Sequence, residues 1–94
     1  MSRIISIVTP AYRAVPEYII DAYKSLATQR IPSGWDWEWI VQADGIDEVG
    51  IAEHLPDDER IHFAVGRHGG PGVARTLALG RVQGEFVKVL DADD

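Results

Sequence analysis

Four short apolar runs set the fold class of this chain: IISIV at residues 4–8, WEWIVQA at 37–43, RIHFAV at 60–65 and EFVKVL at 85–90. Each is rich in β-branched or aromatic residues, the composition of a strand. Between them the periodicity changes. In PEYIIDAYKSLATQ (16–29) the residues Ile19, Tyr23, Leu26 and Ala27 recur at helical spacing, with a proline and Glu17 in the first turn. IDEVGIAEHL (46–55) reads as a weak helix or turn, and Val73–Val82 as a second full helix with Val73, Leu77 and Gly80 toward a sheet and Gly84 as its stop. Strands alternating with helices through short connections predict an α/β fold: an open, mainly parallel, Rossmann-like sheet of about four strands with flanking helices and right-handed crossovers.

Composition narrows the partners. Ninety-four residues, 46% of them hydrophobic, suffice for one small domain with a core. A net charge of −6 with nine scattered Lys and Arg lacks the basic patch that nucleic acid or an anionic membrane surface demands, so no nucleic-acid partner is expected. The apolar run near the N-terminus is five residues long, too short for a signal peptide or an integral membrane segment. The absence of cysteine fits a reducing, cytoplasmic location and leaves oxygen and imidazole as the metal ligands.

In open parallel sheets ligands bind outside the carboxyl ends of the strands, so the residues after each run belong together. They are Thr9, Pro10, Ala11 and Tyr12; Asp44 and Gly45; the HGGPG turn (68–72) leading to the helix of Arg75; and Asp91, Asp93 and Asp94. Carboxylates so close repel one another unless a cation sits among them, and hard oxygen ligands suit Mg²⁺ or Mn²⁺ bridging a diphosphate. A helix N-terminus and an arginine beside them suit the phosphates. Blander roles compete: a solvated acidic tail, an ordinary Asp-Gly turn at Asp44, a helix-surface Arg75. There is no Walker-type P-loop, and the turn TPAYRAVP has no glycine, so a dinucleotide fingerprint is missing. Trp35, Trp37 and Trp39 alternate at strand spacing at the amino end of the second strand, so core or edge packing is expected of them rather than sugar stacking. His54 and His62 have no partner at ligand spacing and read as structural, and His68 as a turn residue.

The segments ISIVTPAYR, IVQADG and GGPGVARTLALGRVQGEFVKVLDADD resemble, in order and spacing, the N-terminal nucleotide-binding half of the inverting family 2 glycosyltransferases of GT-A fold. The resemblance spans nearly all of the chain and less than half of a complete catalytic domain. It implies a nucleotide-sugar-binding subdomain over 1–94, truncated after the D-x-D motif, with its catalytic base beyond Asp94. It further implies that Pro10, Ala11 and Tyr12 pack around base and ribose, that Asp44 contacts the base, and that Gly70 and Arg75 face the nucleotide. Asp91 would reach the ribose and Asp93 the metal, Mn²⁺ or Mg²⁺. Arg13 stands where the family often has Asn, Ala43 where it often has an acid, Ile46 where Ser is common, and His68 and Thr76 where Asn is common.

The implied function is transfer of a sugar from a nucleotide-diphosphate donor to an unidentified acceptor with inversion, the chain alone being expected to be inactive. Because an ionised carboxylate only accepts hydrogen bonds, Asp44 favours UDP- or dTDP-sugars, with GDP-sugars possible. Two other classes compete. A metal-dependent phosphohydrolase would place an aspartate nucleophile after the first strand, where this chain has Thr9 and Pro10; a noncatalytic nucleotide-binding module needs no acceptor site. An uncovered sheet edge makes self-association a further expectation.

Overall fold

The structure, a computed structural model, describes residues 3–11, 16–45, 50–67, 69 and 71–90, without the side chains of Pro16, Pro71, Gly72, Ala74 and Arg75. The chain runs β1 (Arg3–Ala11), α1 (Pro16–Thr28), β2 (Trp35–Asp44), α2 (Ile51–His54), β3 (Ile61–Gly66), α3 (Pro71–Leu79) and β4 (Phe86–Val89). The strands form one sheet in the order β3-β2-β1-β4, every pair parallel. This is the α/β architecture that the alternation of periods predicts.

Period-two alternation divides the core between two faces. On one, Ile7, Ala11, Trp37, Trp39 and Val41 pack against Ile19 and Leu26 of α1 and Ile51 of α2. On the other, Val8 and Ile40 pack against Ala78 of α3, with Val82 beside them. Trp39 is fully buried, and its indole Nε1–H donates to the Thr9 hydroxyl at 2.8 Å, so the largest core residue carries no unsatisfied donor. Trp37 is buried as well, while Trp35 stays half-buried at the amino end, against Phe86 (centroids 5.4 Å apart) and under the Arg3 guanidinium. The tryptophans are thus core and edge residues, as their spacing suggests.

Three elements depart most from the sequence expectation in their boundaries. β1 does not end at Val8 before Thr9-Pro10 but runs on to Ala11. Even-numbered residues of β1 turn their backbone groups toward β4, and among the described residues β4 pairs as far as Val8↔Val89, so the N–H that Pro10 lacks falls past the last described pair. β2 begins at Trp35 rather than Trp37, because Arg3 N–H already bonds the Gly34 carbonyl oxygen at 2.8 Å. The second long helix starts at Pro71 and ends at Leu79, stopped by the Gly80–Arg81 turn rather than by Gly84; among its described side chains the fully buried one is Ala78, with Leu77 and the following Gly80 exposed.

Beside the amino end of β2, Arg60 stacks its guanidinium over Trp37, 3.9 Å from the ring centroid, and binds Asp58 through Nε at 3.0 Å and Nη2 at 2.8 Å. The Tyr23 hydroxyl donates to Asp58 at 3.0 Å. The guanidinium first, then the Tyr23 hydroxyl, holds the Asp58 carboxyl well below the usual carboxylate range, while the hydrogen bond to Asp58 raises Tyr23 above the ordinary phenol, with Arg60 opposing. Among the described residues no helix is long and apolar enough to cross a membrane.

Candidate nucleotide site at the carboxyl edge of the sheet

Parallel pairing puts all four strand ends on one edge, and the strand order makes one place on it special. The chain steps outward from β1 to β2 to β3, then returns to the opposite side of β1 for β4. The direction of winding therefore reverses between β1 and β4, and at such a switch point the connections diverge and leave a crevice. The strand ends that flank this place are Ala11 and Leu90, the last described residues before Tyr12 and Asp91. Pro10 is half-buried and Ala11 is 5% exposed, their partners in β2 being Gln42 and Ala43.

Asp44 closes β2 on the same edge, opposite Gly66 of β3. Its Oδ1 accepts the Gly69 N–H at 2.8 Å, so the carboxylate ties the glycine turn before α3 to the end of the central sheet. Gly45 follows with φ 89°, a left-handed conformation that favours glycine, and its N–H donates to the Gly66 carbonyl oxygen at 2.9 Å. Gly66 has no room for a side chain: a Cβ there would lie 2.6 Å from Leu77 Cδ1 and 2.9 Å from Gln42 Nε2. Asp44 ends β2 and the chain bends at Gly45, and Asp44 is 2% exposed with its carboxylate holding Gly69.

Of the predicted site residues, the structure thus brings Pro10, Ala11 and Asp44 to one edge. Arg75 lies in α3, whose first residues follow the Gly69 turn; its side chain lies outside the described residues, as do Tyr12, Gly70, Asp91 and the metal-ligand candidate Asp93. Among the described residues no three His, Asp or Glu side chains gather as a metal site.

Sequence reasoning missed one acidic residue. Glu38, flanked by Trp37 and Trp39, is 5% exposed, and its Oε2 accepts the Ser6 hydroxyl at 2.5 Å and the Gln83 N–H at 2.8 Å. Ser6 Oγ in turn accepts the Gly84 N–H at 2.9 Å, and His62 Nε2 lies 3.5 Å from Glu38 Oε1, so His62 does have an acidic partner. The available signal was an acid in the middle of a run destined for a central strand, since a carboxylate is buried there only with donors around it. Arg81 lies near this group: desolvation lowers its pKa, Glu38 opposing, and Nη2 reaches the Val41 carbonyl oxygen at 3.5 Å.

An open parallel sheet with a switch-point crevice is an α/β ligand-binding architecture, and comparison with known proteins says which one. The profile of Glycosyl transferase family 2 matches residues 6–94, and the chain belongs to that family. It is 36% identical over 96 residues to the putative teichuronic acid biosynthesis glycosyltransferase TuaG of Bacillus subtilis (strain 168), a match covering 97% of this chain and 36% of TuaG. It is similar to the crystal structure of S. aureus TarS, with a TM-score of 0.75 at 30% identity over 99% of this chain and 17% of that one. Against the crystal structure of TarS 1-349 the TM-score is again 0.75, at 31% identity, covering all of this chain and 28% of that one. The sheet is thus the GT-A type, and the chain spans about a third of the curated relative's length.

Proposed function

We propose that this chain is the donor-nucleotide-binding part of a glycosyltransferase, and that the whole protein transfers a sugar from a nucleoside diphosphate to an acceptor with inversion. The observation that carries the proposal is the meeting of family-matched residues at the switch-point edge: Pro10 and Ala11 on β1, Asp44 on β2, and the α3 entry beyond Gly69. In this reading Pro10, Ala11 and Tyr12 wall the base and ribose, Asp44 accepts from the base, Gly70 and Arg75 face the diphosphate, and Asp91 meets the ribose. Asp93 supplies hard oxygen to Mn²⁺ or Mg²⁺, the cation class that carboxylates select. A divalent ion there would offset the charge that builds on the departing diphosphate. Arg75 adds a second positive group to the same phosphates. UDP- or dTDP-sugars are the proposed donors, with GDP-sugars as the rival.

Calorimetry on the 94-residue chain tests this. UDP is expected to bind more tightly with Mn²⁺ than with EDTA, and Asp93→Ala to abolish the difference. Equal binding in both buffers, or a difference that survives the substitution, overturns the metal assignment.

A further inference from the structure

β4 is the least supported strand of the sheet. It has four residues, lies at an edge, pairs only with Ile5–Val8, and leaves Phe86, Val87 and Val89 exposed. Register matters there, because a slip of one residue exchanges the faces of every side chain and shifts whatever follows the strand. Side-chain packing on an exposed strand discriminates weakly between registers. The discriminating contacts lie one step earlier, in the turn at Gln83–Gly84.

Two backbone donors of that turn are received by buried side chains. Gln83 N–H reaches Glu38 Oε2, and Gly84 N–H reaches Ser6 Oγ, which itself donates to Glu38. Gly84 fits against β1 because it lacks a Cβ, which would lie 2.5 Å from the Ile4 carbonyl oxygen. The next residue, Glu85, donates its N–H to that oxygen at 3.0 Å, and Leu90 N–H donates to the Val8 carbonyl oxygen at 2.9 Å at the far end of the strand. One carboxylate on β2 therefore touches β1 through Ser6, β3 through His62 and the entry to β4 through Gln83. A neutral hydroxyl could not accept two donors on one oxygen while presenting a second oxygen to an imidazole.

We propose that Glu38 is a positioning residue for the nucleotide site: it sets the register of β4 and with it the point at which the acidic run 91–94 follows the strand. The proposal rests on the metal-dependent nucleotide binding argued above, and it assigns Glu38 no contact with ligand. Misplacing a binding group by about 1 Å from a distant substitution can cost about a hundredfold, and a loss of about ten- to a hundredfold is expected in the metal-dependent part of UDP binding.

The test compares wild type, Glu38→Ala, Glu38→Gln and, as a control for lost stability alone, Leu26→Ala in the core under α1. UDP affinity is measured with Mn²⁺ and with EDTA, and amide hydrogen exchange is followed at Glu85 and Leu90. In Glu38→Ala the Mn²⁺-to-EDTA affinity ratio is expected to fall by about tenfold or more, with faster exchange at Glu85 and Leu90 and unchanged exchange along the β2–β3 ladder. Glu38→Gln, whose amide oxygen still accepts from Gln83, is expected to recover part of both effects and carries the test should the alanine variant fail to fold. Leu26→Ala is expected to melt earlier with its ratio intact. An unchanged ratio in both Glu38 variants, unchanged exchange at Leu90, or an equal loss of ratio in Leu26→Ala overturns the proposal. A wild type indifferent to Mn²⁺ overturns the metal reading instead, and the exchange rates then decide the role of Glu38.

Discussion

At the scale of single residues, Asp44 carries two demands. Its Oδ1 holds the Gly69 turn, and the proposed base contact asks the same group to accept from a nucleotide. Uracil and thymine present an N–H where cytosine presents an acceptor, so two facing acceptors would cost CDP about 1–3 kcal/mol. UDP and dTDP are therefore expected to outbind CDP in a displacement titration at fixed Mn²⁺. Asp44→Asn keeps an acceptor for Gly69 and gains a donor, and is expected to narrow the gap. Wild-type affinities for CDP and UDP that coincide would show that Asp44 does not read the base. Single residues also mark where sequence reasoning stopped. The edge position of Asp44 was legible because it depends only on where a strand ends. Its bond to Gly69 was not, and neither was the Glu38 network, whose partners lie 32 and 45 residues away in the chain. Such contacts exist only once β1, β2 and the turn before β4 are assembled.

At the scale of elements, the strands were visible because composition and period agree, and the boundaries that moved did so through pairing. Pro10 reads locally as a strand stop, yet the sheet tolerates it past the last described β4 pair. The helix α3 reads as a Val73–Leu77 stripe, whereas the small Ala78 is what lets it approach Val8 and Ile40. The turn before β3 offers a measurement of its own. Folding lowers the Asp58 pKa through Arg60 and Tyr23, so the unfolded chain binds more protons in the acid range and stability rises with pH there. This contribution is complete above the unfolded-state value, about 3.9, and is lost as pH falls below it toward the folded-state value. The melting temperature of the wild type is thus expected to drop from pH 5 to pH 3 more than that of Asp58→Asn; equal slopes would remove Asp58 from the acid response.

For the molecule as a whole, the sheet is covered unevenly. Around β1 and β4 on the α1 side lies a cavity of about 570 Å³ with Ile5, Ile7, Leu26, Trp37 and Leu90 in its walls and Arg30 and Lys88 among its polar lining. The neighbouring β4 exposes Phe86 at 57% and Val87 at 46%. An edge strand with three exposed apolar side chains and a single charge, Lys88, is a template for pairing with another chain. Concentration-dependent association is therefore expected in sedimentation velocity, and Val87→Lys is expected to reduce it. A sharp monomer peak at every concentration would refute the expectation.

The strand order also bears on how the protein is made. β1 is made before the other three described strands, yet it lies inside the sheet, and its second neighbour, β4, is the last of the four to be made. Ser6 waits for Gly84, 78 residues along the chain, before its hydroxyl is saturated. Until then one side of β1 is an open apolar ladder on a nascent chain, and pairing across so long a loop is slow. The period of greatest exposure to misassembly thus lasts from the emergence of α1 to that of β4.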